Sequence, residues 1–283
     1  MKKLSLMAII AFIVATFTVR AQENAILWKI SGNGLAKDSY LLGTMHLMCE
    51  EDYLLKDKIK NLIPKVDVIT FEINIGSEEN KPIIPEMMKP DSNFLKGMTK
   101  AELTQMDSIL TSQQLSIQML DMMSPAVFIS LLSLKSLECS DPRKVKTMET
   151  DIQALATASN KKIDNLETLK FQMDMLNNMF KASDLLEYLN KIDEMPAISK
   201  KMVTAYQTEN LKELETIIYD NSYMSKEDLA NFLTKRNINW MNKIPSKMSA
   251  SSHLFAVGAG HLVGKNGLLN LLAAKGYKLT PIL

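Results

Sequence analysis

A glycine-free stretch over residues 98–244 constrains the fold of this chain more than any other feature of its sequence. Apolar residues recur in it at intervals of three and four, for example at Leu166, Leu169, Met173 and Leu176. This period places apolar side chains on one face of a helix, so the stretch predicts helices that pack against other helices. Scattered prolines predict short turns between them. We expect a large helical insertion over about residues 98–245.

The segment before this insertion is typical of strands. Residues 25–31 and 39–42 are short apolar runs separated by Gly-Asn-Gly at 32–34, which predicts a hairpin. A helix is predicted at about residues 53–62. Residues 66–73 are rich in β-branched and aromatic side chains, which predicts a buried strand.

The carboxyl-terminal end shows the same kind of pattern. Residues 254–258 predict a strand, residues 267–275 a helix capped by Gly276, and residues 277–283 a last strand. Inside the insertion, residues 162–165 predict a short extended segment. We therefore expect an α/β (α+β) fold with a split β-sheet core built from the amino- and carboxyl-terminal segments.

The composition agrees with a helix-rich globular protein. Of 283 residues, 46% are hydrophobic and 23% charged, and 20 Met accompany only 10 Gly and 9 Pro. Such a composition favours long helices over the turn-dense pattern of an all-β protein. A formal net charge of +1 supplies no basic surplus, so nucleic-acid binding is not expected. The methionines, with Met119, Met122 and Met123 as examples, are expected to fill the core.

The first 21 residues have the organisation of a secretory signal peptide. Lys2 and Lys3 precede an apolar run over residues 4–19, and a small-x-small cleavage site ends at Ala21. The run is short for a membrane span, and an uncleaved anchor helix is the alternative. Cleavage would leave 30 basic against 32 acidic residues, a net charge of −2. We expect an exported protein, periplasmic or secreted, with one domain over residues 22–283 and no stable membrane insertion.

The two cysteines permit two interpretations. In an oxidising compartment Cys49 and Cys139 can form a disulfide, although the sequence does not show whether they meet in space. Cys49 also lies three residues after His46, which is the spacing of a Cys/His nucleophilic pair. An exported free thiol is easily oxidised and no third orienting group is evident, so this second interpretation is the weaker one.

Two of the three histidines occupy the same local motif. His46 ends a Gly-x-x-His motif that starts at Gly43, and His261 ends another that starts at Gly258. Each motif follows a predicted strand, and the carboxyl ends of strands in an α/β sheet carry side chains into one crevice. Glu72 ends a third predicted strand, so two imidazoles and a carboxylate can meet there. Such a set binds Zn²⁺ or a harder ion such as Mn²⁺. The two glycines would let the backbone turn sharply beside the ligand.

Structural roles for the same residues remain open. A lone histidine at a strand end is usually only hydrogen-bonded, and Glu72 could be a structural acid paired with Arg236. His253 precedes its strand and follows two serines, so it is expected to be exposed to solvent. The glycine-rich run ending at Gly264 nearly matches nucleotide-binding loops, but only 19 residues follow it. That is too few to complete a dinucleotide-binding unit, so no nucleotide cofactor is expected.

At these residues the sequence resembles the TraB/GumN family, which is related to the Tiki metalloproteases. The matching stretches are residues 27–30, 40–47, 71–72, 166–168 with Gln172, 236–237 with Trp240, and 257–262. The resemblance implies an α/β core with inserted helices and makes His46, Glu72 and His261 the expected metal ligands. Our own hypotheses are that Glu167 is a general base or a further ligand, and that Arg236 clamps an oxyanion or a substrate carboxylate.

The favoured function is an exported metal-dependent hydrolase that cleaves a peptide or other amide bond, in a peptide or a small molecule, with metal-activated water. Tiki-like relatives cleave peptides in a metal-dependent way, whereas many bacterial members have no assigned substrate. The expected cofactor is a divalent ion, Zn, Mn or Co. One alternative is a non-catalytic protein that sequesters a peptide or signal molecule in the same crevice. A metal-free, esterase-like hydrolase with a histidine base is the third.

Overall fold

The computed structural model of the protein describes residues 24–74, 76–179 and 181–283. The predicted signal peptide, residues 1–21, lies outside the described residues. Within these three ranges, every helix is too short or too polar to cross a membrane.

Among the described residues, eight strands form one large and one small sheet. The strands are β1 (Leu27–Ser31), β2 (Ser39–Thr44), β3 (Met48–Cys49), β4 (Val68–Phe71), β5 (Val145–Lys146), β6 (Lys162–Asn165), β7 (His253–Gly258) and β8 (Lys278–Pro281). The large sheet has the order β6-β4-β7-β2-β1-β8, and β3 pairs with β5 in the small one. The predicted sheet built from both ends of the chain is confirmed.

Four neighbouring strands of the large sheet, β6, β4, β7 and β2, run parallel. The central strand β7 is buried at all six of its positions, as expected for a strand covered on both faces. On the other side of β2, β1 pairs antiparallel with β2 as a hairpin, with Leu27 opposite Leu42. Strand β8 pairs antiparallel with β1. The parallel arrangement brings the carboxyl ends of four strands to one edge of the sheet.

Helices surround the sheet and make up most of the insertion. They are α1 (Asp57–Lys60), α2 (Ile83–Met87), α3 (Lys100–Ser112), α4 (Pro125–Lys135), α5 (Met148–Ala158), α6 (Leu169–Met179), α7 (Ala182–Asn190), α8 (Met195–Gln207), α9 (Leu211–Ile218), α10 (Lys226–Leu229), α11 (Lys235–Trp240), α12 (Ile244–Ala250) and α13 (Leu268–Ala274). A π-helical turn, Ala230–Thr234, joins α10 to α11. The expected helical insertion is confirmed, with β5 and β6 as its two short strands.

The buried core centres on the sheet, where Ile26, Leu42 and Phe255 are fully buried among helix side chains. A second apolar cluster, with Met106 and Phe128, lies among α3, α4 and α7 inside the insertion. The insertion therefore has a small apolar core of its own, separate from the core around the sheet.

Three local predictions were wrong. The helix expected at residues 53–62 is only the short α1, because the chain passes into a 3₁₀ turn that contains Pro64. His253 is 3% exposed, not solvent-facing, because it begins β7 in the middle of the sheet and contacts Thr70 and Ser251 through its ring nitrogens. Met122 is 76% exposed and fills no core.

Cys49 and Cys139 form a disulfide, with their Cα atoms 5.2 Å apart. The bond ties β3, which follows His46, to the loop after α4. The interpretation of a Cys49/His46 nucleophilic pair is therefore wrong, because the sulfur is not a free thiol.

Candidate active site

The carboxyl edge of the parallel strands carries the residues singled out in the sequence. His46 follows β2, Glu72 follows β4, Glu167 follows β6 and His261 follows β7. Because these four strands are neighbours and parallel, their carboxyl ends open into one crevice. The predicted convergence of His46, Glu72 and His261 is what the structure has.

His46 is the accessible member of the set, with 57% of its side chain exposed. Its Nδ1 lies 2.8 Å from Glu149 Oε1, and the hydroxyl of Thr44 donates to the same oxygen at 2.6 Å. A carboxylate only accepts, so Nδ1 carries a proton and Nε2 faces the crevice. Partial removal from water lowers the pKa of His46, but Glu149 and Glu72 together raise it to about 9.

Glu149 was missed by sequence reasoning. It lies in the first turn of α5, where acidic side chains are common whatever their function, so nothing in the local pattern marks it. Only the approach of α5 to the end of β2 gives it a role. A carboxylate that receives Nδ1–H fixes both the tautomer and the orientation of an imidazole.

His261 is buried, and its ring is held on both sides. Its Nδ1 lies 2.7 Å from Asn237 Oδ1, and the Asn237 amide donates to the backbone carbonyls of His261 and Asn266. Nδ1 is therefore the donor and Nε2 an acceptor. The ring also packs against Trp240, with centroids 4.3 Å apart. Burial lowers the pKa of His261 to about 3, so the imidazole is neutral.

Glu72 lies between the two imidazoles. Its Oε1 accepts the Gly258 N–H at 2.7 Å and lies 3.9 Å from His46 Nε2 and 3.6 Å from His261 Nε2. Its Oε2 accepts a hydrogen bond from Arg236 Nη2. Burial alone would raise the pKa of Glu72, but the Arg236 guanidinium, His46 and the Gly258 N–H hold it well below the ordinary value. Glu72 is thus a buried carboxylate ion.

Arg236 and Glu167 form an ion pair behind this carboxylate. Arg236 is 3% exposed and donates to both oxygens of Glu167 from Nε, at 3.0 and 3.2 Å. Its remaining N–H groups face Glu72, Glu167, the Phe232 carbonyl and His261 Nε2. All five guanidinium donors therefore meet protein acceptors. The alternative in which Glu72 pairs with Arg236 is present in the structure. The roles expected for Arg236 as a clamp and for Glu167 as a general base or further ligand stay predictions.

The two motif glycines let neighbouring atoms lie close to the backbone. They do not make the expected sharp turn, since neither has a positive φ. A Cβ on Gly258 would lie 2.9 Å from His46 Nε2 and 3.4 Å from Glu72 Oε1. A Cβ on Gly43 would lie 3.1 Å from Ala259 Cα, within the packing between β2 and the turn that carries His261. Glycine at 258 thus lets two site residues approach the end of β7.

A divalent metal is implied by the donor set, and its fit can be judged from the atoms present. His46 Nε2, His261 Nε2 and Glu72 Oε1 are donors of the right kind and face one another. Among the described residues, however, no group of three or more His, Cys, Asp and Glu side chains is arranged so that it could hold a metal ion. Arg236 Nη1 lies 3.1 Å from His261 Nε2, so the guanidinium engages the lone pair that a metal would use at this nitrogen. The donor set fits a metal in its chemistry, and binding at His261 Nε2 would require Arg236 Nη1 to move away from that nitrogen.

Comparison with known proteins finds similarity over most of the chain. The TraB/PrgY/gumN family model matches residues 26–281, which confirms the resemblance. The chain is also 21% identical to a protein named "Metalloprotease TIKI homolog" from Amphimedon queenslandica, over 93% of this chain and 62% of that relative. The chain thus spans less than two thirds of this relative's length. No solved structure matches the chain significantly.

Proposed function

The chain belongs to the TraB/PrgY/gumN family, and from that premise we propose that it is an exported hydrolase that cleaves an amide bond in a peptide or small molecule with the help of a divalent cation. The observation that carries the proposal is the meeting of His46 Nε2, His261 Nε2 and Glu72 Oε1 at the carboxyl edge of the sheet. The similarity to a metalloprotease homolog supports the same class of reaction.

His46, Glu72 and His261 are the residues that would hold the cation. Each histidine has its Nδ1 engaged by an acceptor, Glu149 or Asn237, which directs Nε2 toward Glu72. Two imidazoles and one carboxylate favour Zn²⁺, Mn²⁺ or Co²⁺ over Ca²⁺. When bound, such an ion supplies Lewis acidity for a carbonyl and for water.

The other residues orient this set. Arg236 binds Oε2 of Glu72 and leaves Oε1 directed at the imidazoles, while Glu167 holds Arg236 from behind. We therefore assign Arg236 and Glu167 as positioning residues. In the reaction one water is consumed: its hydroxyl joins the acyl carbon as the carbon–nitrogen bond breaks, and a proton passes to the leaving nitrogen. His46 is the exposed edge of the site at which the amide would approach.

Export is part of the proposal. The Cys49–Cys139 disulfide suits an oxidising compartment, where such bonds persist, and so supports the signal peptide expected over residues 1–21. Amino-terminal sequencing of protein recovered from the periplasm or medium would test it. The expected new terminus is Gln22, and recovery of the protein only inside the cell would contradict export.

A metal-free hydrolase is the second candidate, because one observation favours it. The His46–Glu149 pair has the geometry of a base oriented by a carboxylate, with an exposed Nε2. In this case His46 Nε2 would take a proton from water directly, in the neutral form of the ring, which predominates only above its raised pKa of about 9. The protein would then cleave amides in the presence of a chelator.

Metal content and amide cleavage, measured together, test the proposal. The protein produced from its full-length sequence is assayed for bound Zn, Mn and Co and incubated with a mixed peptide library, with and without chelator. His46→Gln and His261→Gln should lose metal and cleavage. His253→Gln, the third histidine, is the matched control outside the site and should retain metal. Cleavage that persists without metal would favour the second candidate, and peptide capture without turnover would contradict both.

A further inference from the structure

A cavity of about 630 Å³ lies beside the candidate site. Thr44, His46, Gly258 and Gly260 form part of its wall, so the space is continuous with the accessible face of His46. Its volume falls in the range of roughly 300–1,000 Å³ found for sites that enclose a small-molecule ligand. A molecule bound at His46 can therefore extend into it.

The helical insertion provides most of the cavity wall. Most lining side chains come from α4, α7, α8, α9 and the segment 220–233, and most of these are leucine, isoleucine, methionine, tyrosine or phenylalanine. Met195, Met202 and Met224 are among them. Methionine side chains are flexible and adapt to apolar ligands of different shape. A wall of this kind favours an extended apolar group as occupant.

The charges among the described lining residues restrict the occupant further. Four carboxylates, those of Asp184, Glu187, Asp220 and Asp228, accompany one lysine, Lys191. Lys191 already binds Glu187 at 3.1 Å. Away from His46 the lining thus carries a surplus of negative charge, which disfavours a chain whose far end is a carboxylate.

We propose that this cavity binds the extended aliphatic chain of an amide substrate whose far end carries no negative charge. The assignment of the bound molecule as a substrate rests on the proposed function, whereas the binding of the chain does not. The scissile amide would lie at His46, with the chain directed between α4 and α8.

Binding is tested with primary amides of increasing chain length, from acetamide to dodecanamide, by displacement of the neutral dye Nile red from the full protein. Affinity should rise about fourfold for each added methylene until the cavity is filled. The monoamide of dodecanedioic acid, which carries a carboxylate at the far end of the same chain, should bind more weakly than dodecanamide. Equal affinity across the amide series would overturn the proposal.

Two serines of α4 offer a matched pair of variants. Ser133 lines the cavity and Ser130 does not, and each hydroxyl bonds the carbonyl four residues earlier. Ser133→Phe should reduce the chain length of the longest amide that binds well. Ser130→Phe should leave the dependence of affinity on chain length unchanged. Met202→Ala, which enlarges the space, should extend the series. If Ser133→Phe and Ser130→Phe behave alike while both melt near the wild-type temperature, the cavity is not the binding site.

Hydrolysis of acyl p-nitroanilides separates this inference from the proposed function. A rise of kcat/KM with chain length in metal-loaded protein supports both. Cleavage of the acetyl compound with no dependence on chain length overturns the cavity assignment and leaves the hydrolase intact. Length-dependent binding without cleavage of any amide supports the cavity and contradicts the hydrolase.

Discussion

Gly258→Ala is the substitution that tests the site geometry most directly. The backbone of Gly258 has φ −51° and ψ 137°, which alanine adopts without strain. The new Cβ would lie 2.9 Å from His46 Nε2, so the ring must retreat by about 0.5 Å to reach an ordinary 3.4 Å contact. Because Nε2 is the far end of a largely exposed side chain, we expect the free energy of unfolding to stay within about 1 kcal/mol of wild type.

The same displacement should be costly for metal binding. Shifts of this size in a ligand reduce metal affinity and turnover by about 10- to 100-fold. Isothermal titration with Zn²⁺ or Mn²⁺ measures the affinity, and urea unfolding measures stability. Gly34→Ala is the control: Gly34 has φ +79° and no atom within 4 Å of an added Cβ, so it should lose stability and keep metal affinity. Wild-type affinity in Gly258→Ala would refute the placement of His46 Nε2 in the metal site.

Three further predictions follow from other contacts. Glu149→Gln removes the charge opposite His46 Nδ1 and should weaken metal affinity about tenfold in the same titration; an unchanged affinity would contradict its orienting role. Replacing Cys49 and Cys139 by serine should lower the free energy of unfolding by about 4–5 kcal/mol, since the bond closes a loop of 90 residues, and a loss below about 1 kcal/mol would contradict this. Burial raises the pKa of Glu209, but its two lysine partners lower it overall, so its stabilisation is lost as pH falls through the folded-state pKa. The free energy of unfolding of wild type, measured in urea, should therefore fall more steeply in acid than that of Glu209→Gln. Parallel plots of this free energy against pH would contradict the prediction.

The fold and the three central residues were predictable because their signals are local. Each Gly-x-x-His motif directly follows an apolar run, and Glu72 ends another, so the sequence places all three at strand ends before any pairing is known. The rule that parallel strands open their carboxyl ends on one edge then brings them together. The same logic failed for His253, since the position of β7 between β4 and β2 depends on pairing across more than 180 residues.

The partners of these residues were harder to predict because their contacts come from elements distant in sequence. Glu149 is separated from His46 by 103 residues, and no local pattern marks it. Arg236 is a similar case. Its five N–H groups find their protein acceptors only once α11 is packed against the sheet. The cavity has no signal in the sequence, because an apolar helix face has the same period whether it faces a core or a ligand.

The sheet and the insertion make different contributions to the site, and neither contribution is complete alone. The strand ends carry His46, Glu72 and His261, whereas the insertion supplies Glu149 and Arg236, which orient them, and most of the cavity wall. Because the same helices that line the cavity precede α11 in the chain, a change in the wall that moved α11 would also move Arg236 and hence Glu72. Under the proposed function, substrate preference can therefore diverge most freely on α4 and α7, whose described residues line the cavity without contacting the three central residues. Substitutions on α5 and α11 should change the site itself.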